Sequence, residues 1–418
     1  VTIDGTAHST GVTFGTLVVL MLSVFTVSIG FGVVLPLLPY LIERLKPDAG
    51  AASISRNTGL LTATYTLALF LFAPVWGRVS DRYGRRSILL VGMVGFAVST
   101  LVFSFIENLP AVYTERFLTG VFAAAVTPVA AATIADLATT DESRARRLTM
   151  VSLAGIAGFL LGPMLGVFVA RVGTGLLVSS SLAGSLAIPM AATGLLALLV
   201  ALAVGFAVPD ASHVSPRRSN AATAHGSAWL LFKLLLLAFI VSGDVGVFEV
   251  GMALRGKQQL GLTQYQIALM FTECSSVMIV VQALVFSPLV KPAATRWLIA
   301  PALSVLAASL LLAPRASDFT LMLAVTGAVA ASAGILSPIL TYWISSKAGN
   351  AHGAALGKQT AIASLGGTVG AAAGGLLFDV TALPGAPFFL MTVLTGIGVC
   401  LSLWLPRGLT SQVFRDDV

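Results

Sequence analysis

Gly77-Arg78-Val79-Ser80-Asp81-Arg82-Tyr83-Gly84-Arg85-Arg86 sets four arginines, one aspartate and two glycines between two long apolar runs. A basic turn between two such runs is expected on the cytoplasmic side of a membrane. Taken alone, the stretch is also what an arginine-rich hairpin that only fixes topology would look like. What surrounds it decides between the two readings.

Outward from the turn the chain is overwhelmingly apolar. Hydrophobic residues make up 57% of the 418 and charged residues 10%, against roughly a quarter charged in a soluble domain. The runs last about 20 residues and contain Gly and Pro freely, as lipid-spanning helices do and short alternating barrel strands do not. Twelve spans are expected, near 13–41, 57–77, 87–106, 110–134, 148–170, 184–207, 229–253, 264–290, 297–313, 318–345, 354–378 and 385–405. An even number puts both termini on one side. With the Arg82 turn inside, 16 Lys and Arg fall inside, 7 outside, and Arg116 lies within a span. That asymmetry predicts cytoplasmic termini in a bacterial inner membrane. The net charge of +7 is spread over short loops, so it reads as topology and no nucleic-acid partner is expected. Cys274 and Cys400 lie in apolar runs and predict free thiols. No cleavable leader is expected, because no Lys or Arg precedes Arg44 and the first apolar run is too long.

The longest polar break, 208–228, falls at mid-chain and reads as a linker between halves 1–207 and 229–418. The halves repeat. Val27-Ser28-Ile29-Gly30-Phe31-Gly32-Val33 matches Val241-Ser242-Gly243-Asp244-Val245-Gly246-Val247, and Phe72-Ala73-Pro74-Val75 matches Phe286-Ser287-Pro288-Leu289, both at an offset of 214. Gly158, Gly162 and Gly166 match Gly366, Gly370 and Gly374 at an offset of 208.

The turn, twelve spans and a two-fold repeat together resemble the major facilitator superfamily, whose members carry G-x-x-x-D-R-x-G-R-R between helices 2 and 3. The resemblance implies an all-α fold of two pseudo-symmetric six-helix bundles, with a substrate site between them near mid-membrane. It also implies that Gly77 and Gly84 let the loop turn tightly. Asp81 would sit by the N-terminus of helix 11, near Gly353–Gly357, where a carboxylate favours the positive end of the dipole by up to about 1 kcal/mol. Arg82, Arg85 and Arg86 would pair with acids such as Asp136 at the end of helix 4, making a cytoplasmic latch. The second-half copy is degenerate, with Lys291 and Thr295 at the positions of Gly77 and Asp81.

Three further elements resemble the drug:proton antiporters of twelve spans. Arg116-Phe117-Leu118-Thr119-Gly120 in helix 4 is similar to the R-x-x-x-G element beside the proton pathway. An arginine within hydrocarbon must face protein or water, and snorkelling to the nearby surface is the alternative. Helix 5 carries Gly158, Gly162, Pro163 and Gly166, similar to G-x-x-x-G-P-x-x-G-G except that Val167 replaces the last glycine. Such a ridge lets a neighbouring helix approach closely, and Pro163 removes one backbone hydrogen bond; generic small-residue packing is the alternative. Gly30, Pro36 and Pro39 in helix 1 resemble G-x5-P-x-x-P. The helix 5 and helix 1 elements together imply export rather than uptake.

Five acids fall in or near the spans: Glu107, Glu115, Asp244, Glu249 and Glu273. Glu107 and Glu115 lie near the outer surface and are expected to be solvated. Asp244 sits about 14 Å below the outer end of helix 7, at 1.5 Å per residue, and Glu273 lies at a similar depth in helix 8. An acid held there can take up and release a proton for either side. Glu249 lies about 140° around the helix from Asp244. A structural pairing with Arg255 or Lys257 is the alternative for each. Helix 1 has no acid, so coupling would depend on the second half, assisted by Arg116. No Walker loop and no metal-type His or Cys spacing occurs, so no cofactor, metal or enzymatic chemistry is expected. The reading is a monomeric secondary exporter of small amphipathic molecules, driven by protons in a lipid bilayer. An importer, an organic-anion or metabolite exchanger and a lipid scramblase of the same fold remain as alternatives.

Overall fold

The computed structural model describes residues 13–137, 141–176, 182–209, 225–285, 292–347, 352–380 and 383–405. The described residues form twelve helices: α1 (Phe14–Leu45), α2 (Ala51–Tyr83), α3 (Arg85–Phe103), α4 (Leu109–Leu137), α5 (Asp141–Leu176), α6 (Leu182–Ala207), α7 (His225–Gln258), α8 (Gln264–Val285), α9 (Ala294–Arg315), α10 (Phe319–Lys347), α11 (His352–Leu376) and α12 (Ala386–Ser402). No strand occurs among the described residues. Ten of the helices are long and apolar enough to cross a membrane, and α12 is a shorter apolar helix. α11 is rich in Gly and Ala. Residues 210–224 of the expected linker lie outside the described residues, and α7 begins at His225.

The helices alternate in direction, which gives the bundle two ends. One holds the turn between α2 and α3 and is called here the basic end; the other is the far end. Tight packing follows from where the glycines fall. A Cβ on Gly162 of α5 would stand 2.8 Å from the Ile29 carbonyl and 3.0 Å from Gly32 Cα of α1, and one on Gly32 would stand 2.9 Å from the Phe159 carbonyl. Gly158 likewise abuts the Phe25 carbonyl. The second half repeats the arrangement. Gly366 abuts the Phe239 carbonyl, Gly370 the Gly243 carbonyl, and Gly374 lies against Val247 and Val250, all of α7. In a bilayer, where burial against lipid gains little, such close backbone approach is a main source of helix association.

The two halves join at the far end. Gly59 of α2 and Gly375 of α11 face each other so closely that a Cβ on either would meet the other's backbone at 2.6 Å. Gln258 at the end of α7 donates to Ser55 Oγ at 3.0 Å and to the Ala51 carbonyl at 3.2 Å. Nearer the middle, Thr368 Oγ1 lies 3.0 Å from Thr66 Oγ1. The apolar core follows the same division. One cluster runs from the second half into the far end of the first through Leu35, Leu38, Ile42, Ile54 and Leu61, whereas another, around Leu20, Leu89, Met93, Phe96, Ile134 and Val204, stays within the first half.

Candidate functional site

At the basic end α2 ends at Tyr83 because Gly84 adopts φ +92° and hands its N–H to the Ser80 carbonyl at 3.1 Å. Few side chains tolerate that conformation, which explains a glycine there. Arg85, rather than Asp81, is the hub of the cluster. Its guanidinium lies 2.6 Å from Asp81 Oδ1 and 3.0 Å from Asp136 Oδ2, and donates to Ser80 Oγ at 2.5 Å. Ser80 in turn donates to the Gly77 carbonyl at 2.7 Å. Arg86 donates to the Gly205 carbonyl of α6, and Arg82 stacks on Tyr83. All of these partners belong to the first six helices. The Asp81 side chain is 62% exposed, and a Cβ on Gly77, Gly84 or Gly357 would meet nothing within 4 Å among the described residues. In the second half the equivalent turn uses a neutral contact: Trp343 Nε1 of α10 donates to Thr295 Oγ1 at 3.2 Å. Lys291 lies outside the described residues.

Arg116 does not snorkel. It is 3% exposed, and Glu115, expected to be solvated, is also 3% exposed. The two side chains form a bidentate pair, Nε to Oε2 at 2.7 Å and Nη2 to Oε1 at 2.8 Å. Thr119 Oγ1 donates to Glu115 Oε1 at 2.5 Å, and the guanidinium lies 4.9 Å from the centroid of Phe103. A charge that far from water persists only when paired and hydrogen-bonded, and the neighbouring acid supplies both. Glu115 is the residue that the sequence reading misplaced; residues adjacent on a helix do not ordinarily face each other, so the adjacency Glu115-Arg116 gave no signal of the pair.

The three second-half acids do not gather at one point. Asp244 is fully buried, and both its oxygens lie within 2.9 Å of Thr395 Oγ1 of α12. Glu273 turns toward α10, with Oε1 2.8 Å from where a Cβ of Gly327 would stand, and its Oε2 is buried without a hydrogen-bond partner among the described residues. Neither cation offered as a structural partner serves as one: Arg255 donates to the Ala316 carbonyl at 3.2 and 2.6 Å, and Lys257 pairs with Glu43. No group of three or more His, Cys, Asp or Glu suited to a metal occurs among the described residues.

The helix 1 and helix 5 elements meet. Pro163 Cδ would stand 3.1 Å from a Cβ on Gly32, and Gly166 packs on Val33. Gly30 is filled by Phe96 of α3, whose ring would meet an added Cβ at 2.6 Å. Pro36 lies in a 3-10 turn and Pro39 opens the short helix after it. Beside this contact an aromatic stack crosses three helices: Phe31 of α1 lies 5.1 Å from Tyr65 of α2 and 5.8 Å from Phe159 of α5. Aromatic residues at 8% of the chain carry no spacing signal for such a stack.

Comparison with known proteins gives a consistent answer. The sequence profile of the Major Facilitator Superfamily matches residues 20–312. Multidrug resistance protein 2 of Bacillus subtilis is 27% identical over 92% of this chain and 94% of its own length. The quinolone resistance protein NorA of Staphylococcus aureus is 24% identical over 87% of this chain and 89% of its own. Among solved structures, a D-xylose–proton symporter superposes with a TM-score of 0.70, covering 94% of this chain and 97% of that one, at 17% identity, a likeness of fold alone. With twelve helices in two repeated halves and a profile match over most of its length, this chain is a multi-pass membrane transport protein that belongs to the Major Facilitator Superfamily.

Proposed function

We propose that the chain is a proton-coupled exporter of small amphipathic, drug-like molecules. The halves 1–207 and 229–418, joined by the linker 208–228, would rock about a central substrate site. Export is supported by the relatives named for multidrug and quinolone resistance, together with the glycine and proline ridge of α5 against α1. The excess of Lys and Arg at the basic end supports a cytoplasmic placing of that end and of both termini in a bacterial inner membrane. With that orientation the far end is extracellular, and its closure leaves the transporter facing inward. The cluster on Arg85 would serve as the cytoplasmic latch when the other conformation forms, with Asp81 then free to meet α11.

The observation that carries proton coupling is Glu273. A carboxyl oxygen within a span, buried and without a hydrogen-bond partner, is costly as a fixed charge and suited to a group that gains and loses a proton. Glu249 of α7 is the second candidate for the same role. Asp244, closed in against Thr395, is the candidate farthest from exchange with water.

The test is transport in proteoliposomes under an imposed pH gradient, reading proton flux and flux of amphipathic fluorescent dyes together. The wild type is expected to accumulate dye against its gradient. Glu273→Gln is expected to abolish accumulation, by tenfold or more, while downhill counterflow survives; Glu249→Gln lowers both, and Asp244→Asn lowers folded yield more than the coupling ratio. Dye exchange independent of the gradient in the wild type would favour the exchanger instead.

A further inference from the structure

α1 ends in a break. Pro36 and Pro39 have no N–H to donate, so the helix interrupts at the turn Leu35–Leu37 and resumes as the separate piece Leu38–Leu45. That piece meets a single lysine at the end of α7. Lys257 Nζ lies 2.7 Å from Glu43 Oε2, donates to the Pro39 carbonyl at 2.8 Å, and stands 4.7 Å from the centroid of the Tyr40 ring. The Tyr40 hydroxyl donates in turn to the Leu262 carbonyl at 2.6 Å, beyond the end of α7. All four contacts cross from one half to the other at the far end.

An exposed Lys–Glu pair by itself contributes little. Here the Glu43 side chain is 57% exposed but that of Lys257 only 10%, so the ammonium has given up most of its water for a carboxylate, a carbonyl and an aromatic face. Charge-assisted bonds made in such a setting are among the stronger ones, and the ammonium recovers its water only by letting go. The last turn of α7 divides its work. Arg255 is spent on the Ala316 carbonyl of its own half, while Lys257 and Gln258 reach across.

We infer that Lys257 is the gating residue of the far end: it clasps the broken end of α1 while that end is closed and must release it for the end to open. The inference is independent of cargo, coupling ion and direction, so it stands or falls apart from the exporter reading.

The experiment is a distance measurement by pulsed electron paramagnetic resonance in proteoliposomes. Spin labels go on cysteines at Ala52 and Gln264, at the far ends of α2 and α8, after replacement of Cys274 and Cys400 by alanine in a background that retains transport. The unaltered clasp is expected to give mainly the short distance. Lys257→Met, which keeps the stem and removes the charge, should raise the ratio of long to short by about tenfold. Glu43→Gln should raise it less, and Lys257→Arg should stay near the starting ratio. An unchanged distribution in Lys257→Met overturns the inference, as does an equal shift in Lys257→Met and Lys257→Arg, which would make bulk rather than charge responsible. Should Lys257→Met fail to accumulate in the membrane, Glu43→Gln and Tyr40→Phe carry the test: a lengthened distance in either supports the clasp, and no change in both overturns it.

Discussion

The two ends of the bundle hold together in opposite ways. At the far end the contacts cross between halves: glycine against glycine at Gly59 and Gly375, the Gln258 bonds, and an apolar cluster that runs through both halves without interruption. At the basic end the strongest polar group, Arg85, spends its bonds on Asp81, Ser80 and Asp136 of its own half, and Gly77, Gly84 and Gly357 look into open space. A protein that alternates between two closures must make one of them at a time, and neither can be bound so firmly that the other is never reached. The comparison therefore separates residues that act in the conformation seen here from residues whose work lies in the other one.

The largest effect is expected at the glycine contact. Gly59→Leu would drive a side chain into the Gly375 backbone, already 2.6 Å from an added Cβ, and a backbone neighbour cannot move aside without parting the helices. Far-end closure should be lost and transport should fall by at least about fivefold, as expected for about 1–3 kcal/mol of overpacking. Far-end cysteine labelling should rise in parallel. Retained transport with unchanged labelling would show that closure does not depend on this contact.

Next comes the ridge within the first half. Gly162→Leu places bulk against the Ile29 carbonyl and Gly32, a contact that belongs to one half and is kept whichever end is open. The expected outcome is a lower melting temperature in detergent together with loss of transport, without a preference for either end in labelling. A variant that folds normally but shifts the labelling would show that α1 and α5 move relative to each other during the cycle.

Much of this was legible in the sequence, for a physical reason: hydrocarbon imposes apolar runs of fixed length, so each of the twelve expected spans falls on a helix. The offset-208 glycines also marked α5 and α11 as helices that pack closely on a neighbour, though not which neighbour each would meet. What could not be read was partner choice. Glu115 and Lys257 lie near span ends, where a charged residue is usually solvated, and nothing in the linear order says that Arg116 folds back on its neighbour or that Glu43 reaches Lys257. Asp244 and Glu273 share a depth, but depth says nothing of direction around the helix, and the structure turns one toward α12 and the other toward α10.

A middling effect is expected at Arg85. Its partners are partly solvated, Asp81 at 62% and Asp136 at 25% exposure, so Arg85→Gln should lower thermal stability only modestly. Because the bonds hold α2, α3 and α4 in register at the basic end, transport should fall about three- to tenfold, consistent with the ~0.7–1.4 kcal/mol of a partly exposed charged network. Asp136→Asn should fall short of that. If Asp136→Asn alone abolished transport while Arg85→Gln did not, Asp136 would have a partner in the other conformation.

The smallest effect on the structure described here is expected at Gly77, and it is the most telling. An added Cβ meets no atom within 4 Å among the described residues, so Gly77→Val has little to clash with in the conformation described here; its cost in helix propensity relative to glycine is nil or favourable. Melting temperature and far-end labelling should match the wild type. If the open space around Gly77 is where α2 and the second half come together when the basic end closes, the same substitution should still slow transport, by raising only the conformation that is not populated here. The measurement is therefore paired: thermal stability and turnover on one preparation. Wild-type values of both would mean that the space stays open throughout the cycle and that the glycine serves only the turn, while a fall in stability would mean that the basic end is already packed against Gly77 in the resting protein.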